Sequence, residues 1–395
     1  MTDDIFKYRC ELALLAFLPF TGCIEPFETE FIEFEDAFVV DATITDEMKQ
    51  QEINLTRTYR FQDDGPSGES DALISVVDGQ GNSYAFQETD SGNYRSNVAF
   101  AATPDTDYQL LITSASGKRY SSSLMRLPST NQIDSIYAQR ITNDFGEDGM
   151  GIFVNTSNSS ETTNFYRFEY EETYKVIAPR WIPKELEVVE TTPPSVIIVP
   201  RSLEERVCYP SRMSNGLILT DTEDFESGRV SNFMVRFIDS DNYILSHRYS
   251  ILVKQYTHTL EAYTFLETLN EFSTSESVFS ETQPGFLEGN ISSLEDSNEK
   301  VLGFFNVSAV DEKRIFFNYE DFFPGAALPP YINPCVESAP FNGLFDLIRW
   351  DLIKYIKDNE GEFTSDNSGP YVTVPQVCGD CTILGPSEVP DFWTE

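Results

Sequence analysis

Histidine is nearly missing from this 395-residue chain, which holds only His247 and His258. Serine triads and imidazole-ligated metal sites need that ring as base or ligand, so both are poorly supplied. His258 reads as the opening of a helix and His247 as the residue before a strand, each at the surface or satisfied in a core. Phosphate-cradling glycine loops and the His-Glu-x-x-His pattern are also missing. Basic residues are scarce: 27 Lys and Arg stand against 65 Asp and Glu, a formal net charge of −38. Such a field repels nucleic acid and anionic membrane surfaces, so no nucleic-acid partner is expected. Long apolar runs are absent near the N-terminus as well. Leu12 to Phe20 covers nine residues, against the roughly 20 that a spanning helix requires.

What that short run does fit is an export signal. Lys7 and Arg9 precede it, Phe20-Thr-Gly-Cys23 ends it, and its length falls in the range of roughly 7–15 for a signal peptide. Asp3, Asp4 and Glu11 are unusual company in the charged region. Gly22 before Cys23 matches the bacterial lipobox, in which the thiol takes a diacylglyceryl group and becomes the acylated N-terminus. Residues 1–22 therefore read as a lipoprotein signal and Cys23 as the lipidation site. The acids from Glu25 to Asp36 read as a solvated tether over 23–36. No soluble cofactor is expected; the lipid on Cys23 is the one covalent group.

Beyond Cys10 and Cys23, four cysteines remain: Cys208, Cys335, Cys378 and Cys381. In an exported chain an even number suggests two disulfides, with three pairings open. Cys378-Gly-Asp-Cys381 has two other readings, a redox pair or half of a zinc site. The redox motif normally opens a helix in a βαβ setting, whereas this one follows Tyr371, Val372, Val374 and Val377. Calcium prefers clustered oxygen ligands on loops, which makes Asp144, Asp148, Asp239 and Asp241 the metal candidates. None has EF-hand spacing, and in so acidic a chain such clusters are mostly solvated turns. No resident metal is expected.

Residues 37–128 alternate short β-branched runs with turn signals such as Asp78-Gly79, Gln80-Gly-Asn82 and Ser116-Gly117. Seven or so strands with turns every 8–12 residues argue an immunoglobulin-like or prealbumin-like sandwich. Residues 129–395 stay mainly β and read as a larger barrel-like or sandwich-like domain. The run Val196-Ile-Ile-Val199, among prolines, reads as an edge strand tucked back or as an exposed partner surface. Two helices are predicted near 258–272 and 343–357, from apolar positions at helical spacing: Tyr263, Leu266 and Leu269, then Leu344, Leu347, Ile348, Leu352 and Tyr355.

Three stretches resemble a known family: the lipobox followed by Val39-Val-Asp-Ala-Thr-Ile44, the block Gly289-Asn-Ile-Ser-Ser293 with Lys300-Val-Leu-Gly-Phe-Phe-Asn-Val-Ser308, and the tail Cys378-Gly-Asp-Cys381 with Pro390-Asp-Phe-Trp393. They resemble the Bacteroidota lipoproteins grouped as domain of unknown function 4249. The resemblance implies an outer-membrane lipoprotein, commonly associated with SusC-like TonB-dependent transporters, and it carries over no catalytic residue. The expected role is a surface-exposed, non-catalytic accessory or ligand-capturing subunit beside such a transporter, with a small nutrient as a candidate ligand. The alternatives are a structural or assembly factor of a larger outer-membrane complex and, third, a hydrolase of surface glycans. Sixty-five acids always offer some carboxylate pair at hydrolase spacing, without positive signal.

Overall fold

The computed structural model describes residues 36–395 apart from 61, 64, 157–163, 224–228, 275–286 and 366–367. Cys23, the signal over 1–22 and all but the last residue of the tether lie outside the described residues.

Alternation decides the first strand. In Phe38–Thr45 the residues Phe38, Val40, Ala42 and Ile44 are buried, while Asp41 points outward, as period-2 geometry requires. The strand pairs antiparallel with Glu52–Arg57 on one side. On the other it pairs in parallel with the long strand Val301–Asn318, Phe38 opposite Val301 and Thr45 opposite Ser308. From Glu52–Arg57 the sheet continues through Asn93–Ser96, Ser83–Asp90, Leu73–Asp78, Asp107–Thr113 and Arg119–Ser122 to Ile291–Ser293. In the opposite direction the long strand pairs with Arg248–His258, then Phe165–Tyr174. The strands form one winding sheet without closing into a barrel, and the architecture is mainly β.

Two cores lie on it. The first gathers Phe38, Leu55, Val76, Tyr94, Leu110 and Tyr120, together with Phe305 and Val307 of the long strand. The second is a sandwich: the three-stranded sheet Ile133–Thr142, Asp148–Thr156 and Val230–Asp239 packs Met150, Ile152 and Val154 against Tyr166, Phe168, Ile251 and Val253. Phe317 of the long strand belongs to this second core. The boundary placed between 128 and 129 therefore does not divide the cores, because residues 291–309 complete the first one. Turn spacing reports where strands end and is silent about which distant strand fills the gap.

That long-range junction explains the block Gly289 to Ser308. Gly303 has φ +101°, and a Cβ on it would lie 1.8 Å from the Val40 carbonyl oxygen. Asn290 clamps the same crossing: its Nδ2 donates to the Phe305 carbonyl and its Oδ1 accepts from the Phe305 N–H, both at 2.8 Å.

The first predicted helix is present as Leu260–Thr274. His258, however, ends the preceding strand, and Thr259 caps the helix by accepting from the Ala262 N–H. The second predicted helix, over 343–357, is corrected. Helix covers only Leu344–Arg349; Asp351 turns the chain at φ +51°, and Ile353–Asp358 is a strand paired antiparallel with Ser368–Pro375. Its apolar spacing satisfied both periods over a short window, and a partner strand with β-branched neighbours decided the outcome. Trp350 is accordingly 70% exposed. Val196–Val199 lies in the hairpin Lys184–Val189 with Ser195–Pro200, where Ile197 is 42% exposed.

The four later cysteines form two disulfides, Cys208 with Cys381 and Cys335 with Cys378. They tie the tail to the second core. Within the Cys378–Cys381 turn, buried Asp380 pairs with buried Lys354 at 2.9 Å, and Trp393 packs edge-on against Tyr209 and Phe316. Among the described residues no helix is long and apolar enough to cross a membrane.

Candidate functional site

Both cores take the same face of the long strand, since Phe305, Val307, Ile315 and Phe317 share one parity. The opposite parity carries Leu302, Phe304, Asn306 and Ser308 outward. In register beside them, the first strand presents Val39, Asp41 and Thr43. Tyr256 and His258 follow from the next strand, and Arg167 lies opposite Tyr256 one strand further on. The helix Leu260–Thr274 covers this outer face. Its first turn is docked, with Ala262 and Tyr263 buried and the Tyr263 ring 5.1 Å from Phe165. Phe265 meets Phe304 at 5.1 Å.

Farther along, the helix's apolar side lines a hollow among the described residues. Leu266, Leu269 and Phe272 face a cavity of about 660 Å³, whose sheet wall includes Val39, Leu302 and Phe304. Asp41, Thr43, Arg167, His258 and Asn306 provide its polar lining. A second hollow of about 500 Å³ shares Asp41, Thr43 and Arg167 with the first and adds Glu52, Asp90, Arg95 and Glu169. One space is apolar and the other acidic, and they meet at Arg167.

The polar groups at the junction are incompletely satisfied. His258 is 3% exposed and Asn306 5%. The Asn306 Nδ2 donates to His258 Nδ1 at 2.9 Å, and the Ser308 hydroxyl lies 3.1 Å from the same nitrogen. An amide NH₂ only donates, so Nδ1 accepts and the ring proton sits on Nε2. Burial, seconded by the charge of Arg167, holds the His258 pKa down to about 3, against the hydrogen bond from Asn306; the ring is neutral at physiological pH. His258 Nε2, Asn306 Oδ1 and Arg167 Nε are all buried without a hydrogen-bond partner. Arg167 uses its other end to pair with Glu169 at 3.0 Å, and its guanidinium lies 4.5 Å over the Tyr256 ring. Buried polar groups normally find partners, so three cavity-lining residues that each carry a buried, unpaired polar atom mark the place out.

Ser308 beside His258 raises the question of a nucleophile. An imidazole held near pKa 3 is a poor base at neutral pH, and its Nδ1 is shared with the Asn306 amide rather than aligned by a carboxylate. The arrangement is suited to holding a molecule.

The sequence-level candidates fall elsewhere. Asp148 pairs with Arg140 at 2.8 Å. Asp239 lies across the ladder beside Gly149, and Asp144 stands in an exposed turn. Neither these with Asp241 nor any other group of three or more His, Cys, Asp or Glu could hold a metal ion among the described residues. The disulfides leave the Cys378-Gly-Asp-Cys381 turn without the free thiolates that zinc or redox exchange would need. His258, expected at the surface or satisfied, is neither. Sequence reasoning missed the cavity; the signal that could have led to it is a cation inside the aromatic strand Phe165-Tyr-Arg-Phe168 and the polar pair Asn306 and Ser308 inside an apolar one.

The fold and cavity define a β-sandwich protein with a cleft of small-molecule size at the seam of its two cores. The chain belongs to the family described as domain of unknown function DUF4249, whose match spans residues 24–314. That span starts one residue after Cys23 and contains every cavity-lining side chain named above; the disulfide-bearing tail lies beyond it. No curated protein matches the chain.

Proposed function

We propose that the protein is a non-catalytic, ligand-capturing lipoprotein of the outer membrane, tethered through a diacylglyceryl group on Cys23 and working beside a SusC-like TonB-dependent transporter. The observation that carries the capture role is the cavity at the seam, apolar along its helix wall, whose polar lining residues Arg167, His258 and Asn306 each carry a buried polar atom without a partner. The anchor rests on Phe20-Thr-Gly-Cys23 and the acids after it. A tether beside the barrel raises the local concentration of one partner for the other. The test is co-purification of the tagged, lipidated protein from gently solubilised outer membranes. Recovery of a β-barrel transporter supports the reading, and a preparation without any barrel protein overturns it. A second reading, a structural or assembly subunit of a larger outer-membrane complex, is favoured by the hairpin Lys184–Val189 with Ser195–Pro200 and its exposed Ile197 and Ile198. An intact transporter complex that assembles but loses cargo when the cavity is filled decides for capture.

A further inference from the structure

We infer that the seam cavity takes an amphipathic molecule with an extended apolar body and an uncharged, carbonyl-bearing head, the body lying along the helix Leu260–Thr274 and the head at Arg167, His258 and Asn306. The inference deepens the capture reading and rests on it.

Size and lining settle the body. Ligand cavities run from about 300 to 1,000 Å³ and are mostly apolar with few polar groups, and this one, at about 660 Å³, is walled by Phe265, Leu266, Leu269 and Phe272 against Leu302 and Phe304. Leu269, a large apolar side chain 39% exposed on this wall, is one that an apolar ligand body would remove from water.

The head follows from the inventory of unpaired atoms. His258 offers an N–H at Nε2 and Arg167 one at Nε, while Asn306 offers a carbonyl oxygen. Two donors and one acceptor match a carbonyl oxygen with an adjacent N–H, as in a carboxamide. Charge argues for neutrality. Arg167 is already opposed by Glu169 at 3.0 Å, Asp41 lines the same cavity, and the acidic hollow adds Glu52 and Asp90. A carboxylate head would meet this surround with Arg167 already engaged by Glu169 and Arg95 by Glu52. An ammonium head would face two N–H donors. An uncharged head leaves the Arg167–Glu169 pair intact and gives partners to three orphan groups whose unpaired burial is otherwise unfavourable.

The experiment uses the whole chain with Cys23→Ala, purified without detergent, and calorimetric titration with three probes of one chain length: decanamide, decanoate and decyltrimethylammonium, each below its micelle concentration. Decanamide is expected to bind once per chain and at least tenfold more tightly than either charged probe. Leu269→Trp, a half-exposed position that tolerates bulk, fills the cavity and is expected to weaken decanamide binding at least tenfold with an unchanged unfolding temperature. Tightest binding of the ammonium places the head in the acidic hollow and overturns the assignment; tightest binding of decanoate overturns its neutrality. Absence of binding by every probe overturns the ligand class, and so does binding that Leu269→Trp leaves intact. The transporter partnership is read separately by co-purification, so a failed titration with a recovered barrel removes the ligand class alone.

Discussion

Gly303 stands where the long strand crosses the first one, and its left-handed φ and the carbonyl of Val40 both exclude a side chain. Gly303→Ala is expected to cost at least about 3 kcal/mol, strain at positive φ being worth about 1–3 before the clash is added; urea unfolding of the variant measures it. His258 makes a prediction of a different kind. Its folded-state pKa lies near 3 and its ordinary value at 6.5, so the unfolded chain takes up a proton that the folded chain refuses. Its contribution is complete above about pH 6.5, declines at about 1.4 kcal/mol per unit as pH falls, and levels off near 3. Arg167 helps keep the ring neutral. Carboxylates titrate in the lower part of this window as well, so the discriminating quantity is the slope between pH 6.5 and 5 in the protein against His258→Gln. An equal slope in both refutes the assignment. Glu172 is a buried carboxylate that accepts from the Tyr249 hydroxyl at 2.7 Å and from Arg236 at 3.1 Å. Burial first, then the Glu172 charge, raises the Tyr249 pKa well above its usual value.

At the scale of elements, the C-terminal sheet Ser338–Pro340, Ser368–Pro375 and Ile353–Asp358 has a small core and depends on its covalent tie. The Cys335–Cys378 bridge closes a separation of 43 residues, for which loop entropy gives about 4 kcal/mol. Replacing both cysteines with alanine is expected to lower the unfolding midpoint and to admit limited proteolysis between 335 and 378 first, readable by mass spectrometry of the fragments. A midpoint unchanged in that pair of substitutions contradicts the role. These elements also mark how far the sequence could be read. Strands with strict alternation, such as Phe38–Thr45 and Asp107–Thr113, were legible because one face of each is buried. The helix Leu260–Thr274 was legible because its period runs for four turns, whereas Leu344–Tyr355 was not, since its spacing suits either state and the choice fell to a partner strand. The cavity was hidden for a related reason. Arg167, His258 and Asn306 come from three separate strands, and only pairing across the seam brings them to one face.

For the whole molecule, net charge is the dominant field. With −38 distributed over one chain, self-repulsion opposes compaction, and much of it acts between exposed groups within reach of screening. The unfolding temperature is therefore expected to rise between 10 mM and 500 mM sodium chloride, despite weakening of surface pairs such as Arg95–Glu52 and Arg126–Asp107. A fall over that range would mean that local pairing outweighs the global field. The same acidity bears on capture, because a neutral molecule approaches without the electrostatic cost that an anion meets.

The parallel pairing of Phe38 with Val301 also sets a schedule. Synthesis delivers the N-terminal strands first, yet the first core stays open along one edge until residues 291–309 arrive. Through most of synthesis the chain holds an unfinished sheet, a state that can still be threaded through a channel and that a holding chaperone can recognise by its bare edge. Native structure closes late and nearly at once, when the long strand slots in beside strands made far earlier.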